Sequence, residues 1–233
     1  MSLKVAIITA ASRGMGAAIA QELAANDYKV MLMSKSGRAD QVAASLNGLA
    51  ITGDVLNPND LATLVDATIE NYGRVDVVVN NTGHPPKGDL LKISDDDWHL
   101  GLDMVMLNVV RMARIVTPYM LQQGSGSILN ISTFAAYEPD ASFPVSASLR
   151  AALGSFTKMY ADEYAPHNIR MNNLLPGFIN SYPETEDIVA KIPMKRFGKV
   201  QEIAQAAHFL VSDQSSYITG QNLRVDGGLT RSV

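Results

Sequence analysis

The stretch Val5-Ala-Ile-Ile-Thr9-Ala-Ala-Ser-Arg-Gly14-Met-Gly16-Ala-Ala-Ile-Ala20 decides how this chain is read. An apolar run over residues 5–9 meets a turn that carries two glycines, and a segment of helical character follows. A short, β-branched apolar run reads as a strand buried on both faces. Glycines between such a strand and a helix let the backbone approach a bound group. The free N–H groups and positive dipole of the new helix then favour an anion such as a pyrophosphate.

The same alternation runs outward from this point. Apolar runs recur at residues 30–33, 75–80, 127–132, 169–175 and 221–225, with a weaker one at 48–52. Helix-periodic segments lie between them at 16–26, 60–72, 97–122, 147–164 and 201–211. Repeated β-α-β units predict an α/β fold with a doubly wound parallel β-sheet of about seven strands and helices on both faces. Asn57 is expected to cap a helix with Pro58 at its first position and Asp60 in its first turn, and Asp95 to Asp97 to open the next. No linker or repeat divides the chain, so residues 1–233 are expected to form a single dinucleotide-binding domain. The glycine- and proline-bearing stretches 83–88 and 176–193 fall at carboxyl ends of strands, where open α/β sheets bind ligands.

Composition narrows the chemistry. The 233 residues are 47% hydrophobic and 18% charged, with 19 basic against 23 acidic side chains and a net charge of −4. A chain of this size removes roughly 70–75% of its unfolded surface from water. The absence of cysteine excludes a disulfide framework, a thiol nucleophile and a thiolate metal site. The acidic excess argues against binding a nucleic-acid backbone. No run has the length of a membrane span or the form of a signal peptide, so a cytoplasmic protein is expected. His99, His167 and His208 show no metal-ligand spacing, and no metal is assigned.

The second strand runs into Ser34-Lys35-Ser36-Gly37-Arg38. A dinucleotide fold that prefers NAD places an acid near this point for the ribose hydroxyls, whereas basic residues accommodate a 2′-phosphate. Ser34 stands in the acid's place, and Lys35, Arg38 and Arg13 lie near it in the inferred topology. This favours NADP(H) over NAD(H).

Four ordered segments together resemble the short-chain dehydrogenase/reductase family over essentially the whole chain. Residues 9–16 are similar to its Thr-Gly-x-x-x-Gly-x-Gly turn, with Ala10 in place of the first glycine; alanine suits that position only if φ need not be strongly positive. Gly53-Asp54-Val55 resembles its adenine-contacting Asp-Val pair, and Asn80-Asn81-Thr82-Gly83 its Asn-Asn-Ala-Gly segment. Pro176-Gly177-Phe-Ile179-Asn-Ser181 resembles the Pro-Gly-x-Ile-x-Thr segment beside the nicotinamide. The resemblance implies a Rossmann-type sheet and cofactor contacts from Thr9, Ser12, Arg13, Gly14, Met15, Gly16, Ser34, Lys35, Arg38, Asp54, Val55, Asn81, Thr82, Gly83, Arg150, Pro176, Gly177 and Ile179. It also implies a homotetramer or dimer formed through helices 147–164 and 201–211 and the carboxyl-terminal segment.

The family's active site carries serine, a tyrosine thirteen residues on, a lysine four beyond that, and an asparagine on the preceding helix. The tyrosine moves a proton while hydride passes between nicotinamide and a carbonyl or alcohol carbon; the lysine lowers the phenol's pKa and holds the ribose. Here Asn130-Ile-Ser132-Thr133 puts Thr133 at the serine, Ser146 at the tyrosine and Arg150 at the lysine, with Asn108 as the asparagine. Thr133 keeps a hydroxyl, and Arg150 keeps a charge that does not deprotonate. Ser146 is the serious change, because an aliphatic hydroxyl has a pKa far above the phenol's value of about 10 and is too short to replace it. A water at Ser146, Tyr137, Tyr182 or His84 are the alternatives for the proton. The expected function is an NADP(H)-dependent oxidoreductase acting on a small carbonyl or alcohol through an atypical site. The alternative is an NADP(H)-binding sensor or assembly subunit that has lost hydride transfer.

Overall fold

The computed structural model describes residues 3–181 and 183–232. Seven strands form one sheet: β1 (Lys4–Thr9), β2 (Tyr28–Ser34), β3 (Leu49–Thr52), β4 (Val77–Asn80), β5 (Gly126–Ile131), β6 (Ile169–Pro176) and β7 (Asn222–Val225). Their order is β3-β2-β1-β4-β5-β6-β7 with every pairing parallel. The order reverses between β1 and β4, which opens a crevice at the carboxyl ends of those strands.

The strands read as continuous apolar runs because both faces are covered. Ala6 and Ile8, Val30 and Leu32, and Val77 and Val79 face one side, where α1 (Gly14–Ala25) and α8 (Val200–Val211) pack. Ile7, Met31, Met33 and Val78 face the other, against α3 (Pro58–Tyr72), α5 (Asn108–Gln123) and α6 (Pro144–Tyr164). Burying a side chain such as Ile7 or Ile8 in full contributes about 1.5–3 kcal/mol. The apolar stripe of α8, Ile203, Ala204, Ala207 and Leu210, is used up against α1 and the sheet.

Local signals explain the helix ends. Asn57 accepts the Asn59 N–H at 3.0 Å, Pro58 follows it, and Gly73 closes α3 at φ 72°. At α4 (Asp95–Leu102) the cap is Ser94, which accepts the Asp97 N–H at 3.1 Å, so the three aspartates expected as caps lie in the first turn instead. Two short helices, α2 (Ala39–Ser45) and α7 (Glu186–Lys191), escape the periodicity because neither has more than two turns.

The expected single helix over 97–122 is interrupted. A π-turn over Asp103–Leu107 separates α4 from α5, with the Asn108 N–H bonded to the Asp103 carbonyl. Such a turn inserts one extra residue and re-aims the side chain that follows. Below the crevice an asparagine row crosses the sheet. Asn80 donates to Asn130 at 2.9 Å, Asn130 to Asn173 at 2.9 Å, and Asn173 to Asn222 at 2.7 Å.

Candidate active site

The carboxyl ends of β1, β4, β5 and β6 open onto a crevice of about 140 Å³. Its walls come from segments far apart in sequence: Met15, residues 81–84, residues 131–134, one face of α6 and the 176–181 loop. Among the described residues no aspartate or glutamate lines it.

At the glycine-turn end, β1 and β4 are clamped together. The Thr9 hydroxyl donates to the Asn81 carbonyl at 2.7 Å and accepts the Asn81 N–H at 2.9 Å. The Asn81 amide reaches back to the Thr9 and Ala10 carbonyls at 3.3 Å each. Thr9 is therefore buried behind the turn and holds its shape. Gly14 takes φ +58°, and a Cβ on Gly16 would fall 2.5 Å from the Ala10 carbonyl. Ala10 itself adopts φ +48°, so the condition set on alanine is not met: the turn keeps the left-handed geometry of a glycine and holds an L-residue in it. Ser12 and Gly14 are half-buried and Arg13 is exposed. Arg13 precedes α1 without a side-chain cap, which leaves the first-turn N–H groups without a side-chain acceptor. These features fit a dinucleotide phosphate on structural grounds.

Farther along the sheet edge, Ser34 is buried and accepts the Ala39 N–H at 3.3 Å, so it positions the 35–38 loop. Lys35 and Arg38 are exposed on that loop, with the Lys35 ammonium 2.7 Å from Asp54. Asp60 fixes this turn by accepting the Asp54 N–H at 2.8 Å, while Val55 is buried in the core beneath. Thr82, Gly83, Pro176, Gly177 and Ile179 line the crevice itself, and the Gly177 N–H is bonded to Val225 at 3.0 Å.

At the opposite end Thr133, Ser146 and Arg150 line the same crevice. Thr133 sits just past β5, and its hydroxyl also accepts the Ala135 N–H at 3.4 Å. Ser146 and Arg150 are one turn apart on α6 and therefore share a face. Arg150 is only 8% exposed; its Nη1 donates to the Ile131 carbonyl and its Nε has no partner. Burial alone lowers the guanidinium pKa to about 10, which leaves it charged at neutral pH. Asn108 is buried, does not line the crevice, and has an unpaired Oδ1.

The alternative proton carriers separate in space. Tyr137 faces an open groove on the far side of Arg150, beside Lys158 and Asn222, with the Arg224 guanidinium 5.3 Å from its ring. It is not part of the crevice, because the short helical turn Phe134–Ala136 carries it away from Thr133. Tyr182 lies outside the described residues. His84 lines the crevice at its rim, and its pKa is held below the ordinary 6.5 first by desolvation, then by the charges of Lys87 and Arg150. Sequence reading missed Ser132, whose buried hydroxyl is unpaired, and the ring wall of Phe134, Phe143 and Phe178. Ser132 was discoverable from its place beside Thr133; Phe134 and Phe143 come from the β5–α6 connection and Phe178 from the loop after β6, and the rings carried no local signal.

The chain matches a family model described as enoyl-(acyl carrier protein) reductase over residues 9–230. It is 35% identical to the 3-oxoacyl-[acyl-carrier-protein] reductase FabG of Thermotoga maritima, covering 97% of both chains. Among solved structures it superposes at a TM-score of 0.94 on the L-sorbose reductase of Gluconobacter frateurii, complexed with NADPH and L-sorbose, with 28% identity over 100% of this chain and 98% of that one. YwfH, an NADPH-dependent reductase involved in bacilysin biosynthesis, also gives 0.94 with 28% identity and full coverage of both chains. The strand order, the glycine turn and these relatives together place the protein in the short-chain dehydrogenase/reductase family.

Proposed function

We propose that the protein is an NADP(H)-dependent oxidoreductase that interconverts a small carbonyl compound and its alcohol. The observation that carries this reading is the crevice itself, which joins the glycine-turn end of the sheet to Thr133, Ser146 and Arg150 in one continuous space. The NADPH-dependent reductases of similar fold support the cofactor choice, as do Lys35 and Arg38 at the end of β2.

When bound, the nicotinamide supplies a hydride to a substrate carbon or accepts one from it. The chain must then deliver or remove one proton at the substrate oxygen. Thr133 and Ser146 offer hydroxyls to orient that oxygen and a bridging water, and Ser132 adds a third. Among the described lining residues His84 carries the one imidazole, a ring that can both give and take a proton although desolvation holds its pKa below the ordinary value, so we assign it the proton. Thr133, Ser146 and Arg150 thus stand at the positions of the family's serine, tyrosine and lysine, with Asn108 behind them. Assembly as a dimer or tetramer belongs to the same reading.

The direct test follows absorbance at the nicotinamide band with NADPH and a panel of small ketones, and with NADP+ and the corresponding alcohols. Turnover with the phosphorylated cofactor in clear preference to NADH is expected. Tight NADPH binding without turnover on any member of the panel would leave a binding protein and overturn the oxidoreductase reading.

A further inference from the structure

Tyr137 and Glu138 find their partners in the segment that follows β7. Residues 226–232 form neither helix nor strand, so individual contacts must offset the entropy of ordering them. The Asp226 carboxylate folds the segment back by accepting the Gly228 and Thr230 N–H groups at 2.9 Å each. At the far end Glu138 Oε1 accepts the N–H groups of both Arg231 and Ser232, the second at 2.6 Å. Arg224 closes the same knot: its Nη1 donates to the Ser232 carbonyl and, at 3.1 Å, to the Ser232 hydroxyl, while its guanidinium lies 5.3 Å from the Tyr137 ring. Bonds to an ionised carboxylate are stronger than neutral ones, which makes Glu138 the firm end of this latch.

Between its two ends the segment leans on elements that wall the crevice. Leu229 packs on the apolar cluster of Phe134, Ala135 and Ala147, as Phe178 does. Phe134 and Phe178 line the crevice with ring centroids 5.4 Å apart. Gly177, another lining residue, donates its N–H to the Val225 carbonyl at 3.0 Å, and a Cβ there would fall 2.8 Å from Asp226 Cα. The Gly227 carbonyl accepts the Met194 N–H at 3.2 Å, just past α7. Glu138 is tied to the wall directly as well, since its N–H donates to the Phe134 carbonyl at 3.3 Å.

We propose that Glu138 is a positioning residue: by latching residues 226–232 it holds Leu229 behind Phe134 and Phe178, and so fixes the apolar wall on which the substrate's carbon frame rests. Glu138 does not line the crevice, so it acts through that wall. Only the kinetic consequence rests on the oxidoreductase reading; the coupling of latch to wall does not.

Amide-resolved hydrogen exchange on the full chain at neutral pH tests the coupling. In Glu138→Ala the Gly177 and Met194 amides, far from residue 138 in sequence, should exchange about tenfold faster, with β1 and β4 unchanged. Glu138→Gln keeps an oxygen for the same N–H groups and should restore much of the protection. Arg224→Gln, which frees Ser232 from the other side, should give the same local pattern. Leu229→Ala should reproduce the effect, and adding Glu138→Ala to it should change exchange by less than about twofold. With NADPH and a small ketone that the wild-type protein reduces, Glu138→Ala should raise KM about three- to tenfold and keep kcat within about twofold. Unchanged exchange at Gly177 and Met194 overturns the proposal, as do additive effects of the two alanines or an unmoved KM. Faster exchange spread through β1 and β4 overturns it too, by making Glu138 a residue of overall stability. If no ketone is reduced, the oxidoreductase reading falls, and the exchange comparison still decides the latch.

Discussion

The Lys35 ammonium sits 2.7 Å from the Asp54 carboxylate, tying the end of β2 to the turn after β3. Lys35 is two-thirds exposed, and such a pair contributes no more than about 1 kcal/mol, so a 2′-phosphate can recruit the lysine at small cost. Replacing Lys35 and Arg38 together by alanine should raise KM for NADPH about tenfold and leave KM for NADH nearly unchanged. Steady-state kinetics with both cofactors measures this, and an unaltered NADPH-to-NADH ratio would count against the NADP(H) assignment.

His84 is assigned the proton, and its pKa lies below 6.5. In the reductive direction the protonated imidazole donates, so kcat/KM should fall as pH rises through that value. His84→Gln should be slower and flat between about pH 5 and 8. Tyr137→Phe, outside the crevice, should keep kcat within about twofold. A pH profile unchanged by His84→Gln would remove His84 from the reaction.

Ala10 holds φ +48° in the turn that precedes α1. Left-handed geometry strains an L-residue by about 1–2 kcal/mol, and glycine gives back part of that gain through unfolded-state entropy. Ala10→Gly should therefore stabilise the fold by about 0.5–1 kcal/mol and raise Tm by about 2 °C. Thermal denaturation reads this; a lowered Tm would show that the alanine methyl packs favourably enough to offset the strain.

Asn130 accepts from Asn80 and donates to Asn173 in the middle of the sheet, where it is 1% exposed. Asn130→Ala strands a donor on one side and an acceptor on the other. The loss should be about 2–4 kcal/mol in urea unfolding. A loss below about 1 kcal/mol would mean that water replaces the missing amide.

Glu202 receives both nitrogens of Arg196 at 2.7 Å and the Lys199 N–H at 2.7 Å, which closes the start of α8. These partners, Arg196 first, hold its pKa down to about 2 from 4.5. A lowered folded pKa gives stability that is complete above the unfolded value and is lost as pH falls from 4.5 toward 2. The pair is partly exposed and screened, so Glu202→Gln should destabilise by about 1 kcal/mol at neutral pH, and the difference from wild type should shrink across that acid range. Urea titrations at successive pH values test it, and a difference independent of pH would show that the carboxylate charge contributes nothing.

Much of the fold was legible because its signals are local. Continuous apolar runs announced a sheet covered on both sides, and Asn57-Pro58 marked a helix start that the structure keeps. The π-turn before Asn108 was not legible, since apolar spacing through Val105, Val109 and Met112 continues across it and only the backbone bond to Asp103 shows the extra residue. Within the site, Thr133, Ser146 and Arg150 were expected from the resemblance and line one crevice, whereas Tyr137, equally near in sequence, faces away from it.

Residue order by itself determined the alternating sheet and the glycine turn, because each depends on neighbours within a few residues. Only the tertiary structure decided that Arg150 is buried without a counter-charge, that Ala10 is strained, and that Phe134 and Phe143 of the β5–α6 connection join Phe178 of the loop after β6 in one wall. Burial, charge compensation and backbone strain arise from what distant segments bring together or leave out, and no local pattern of residues records that.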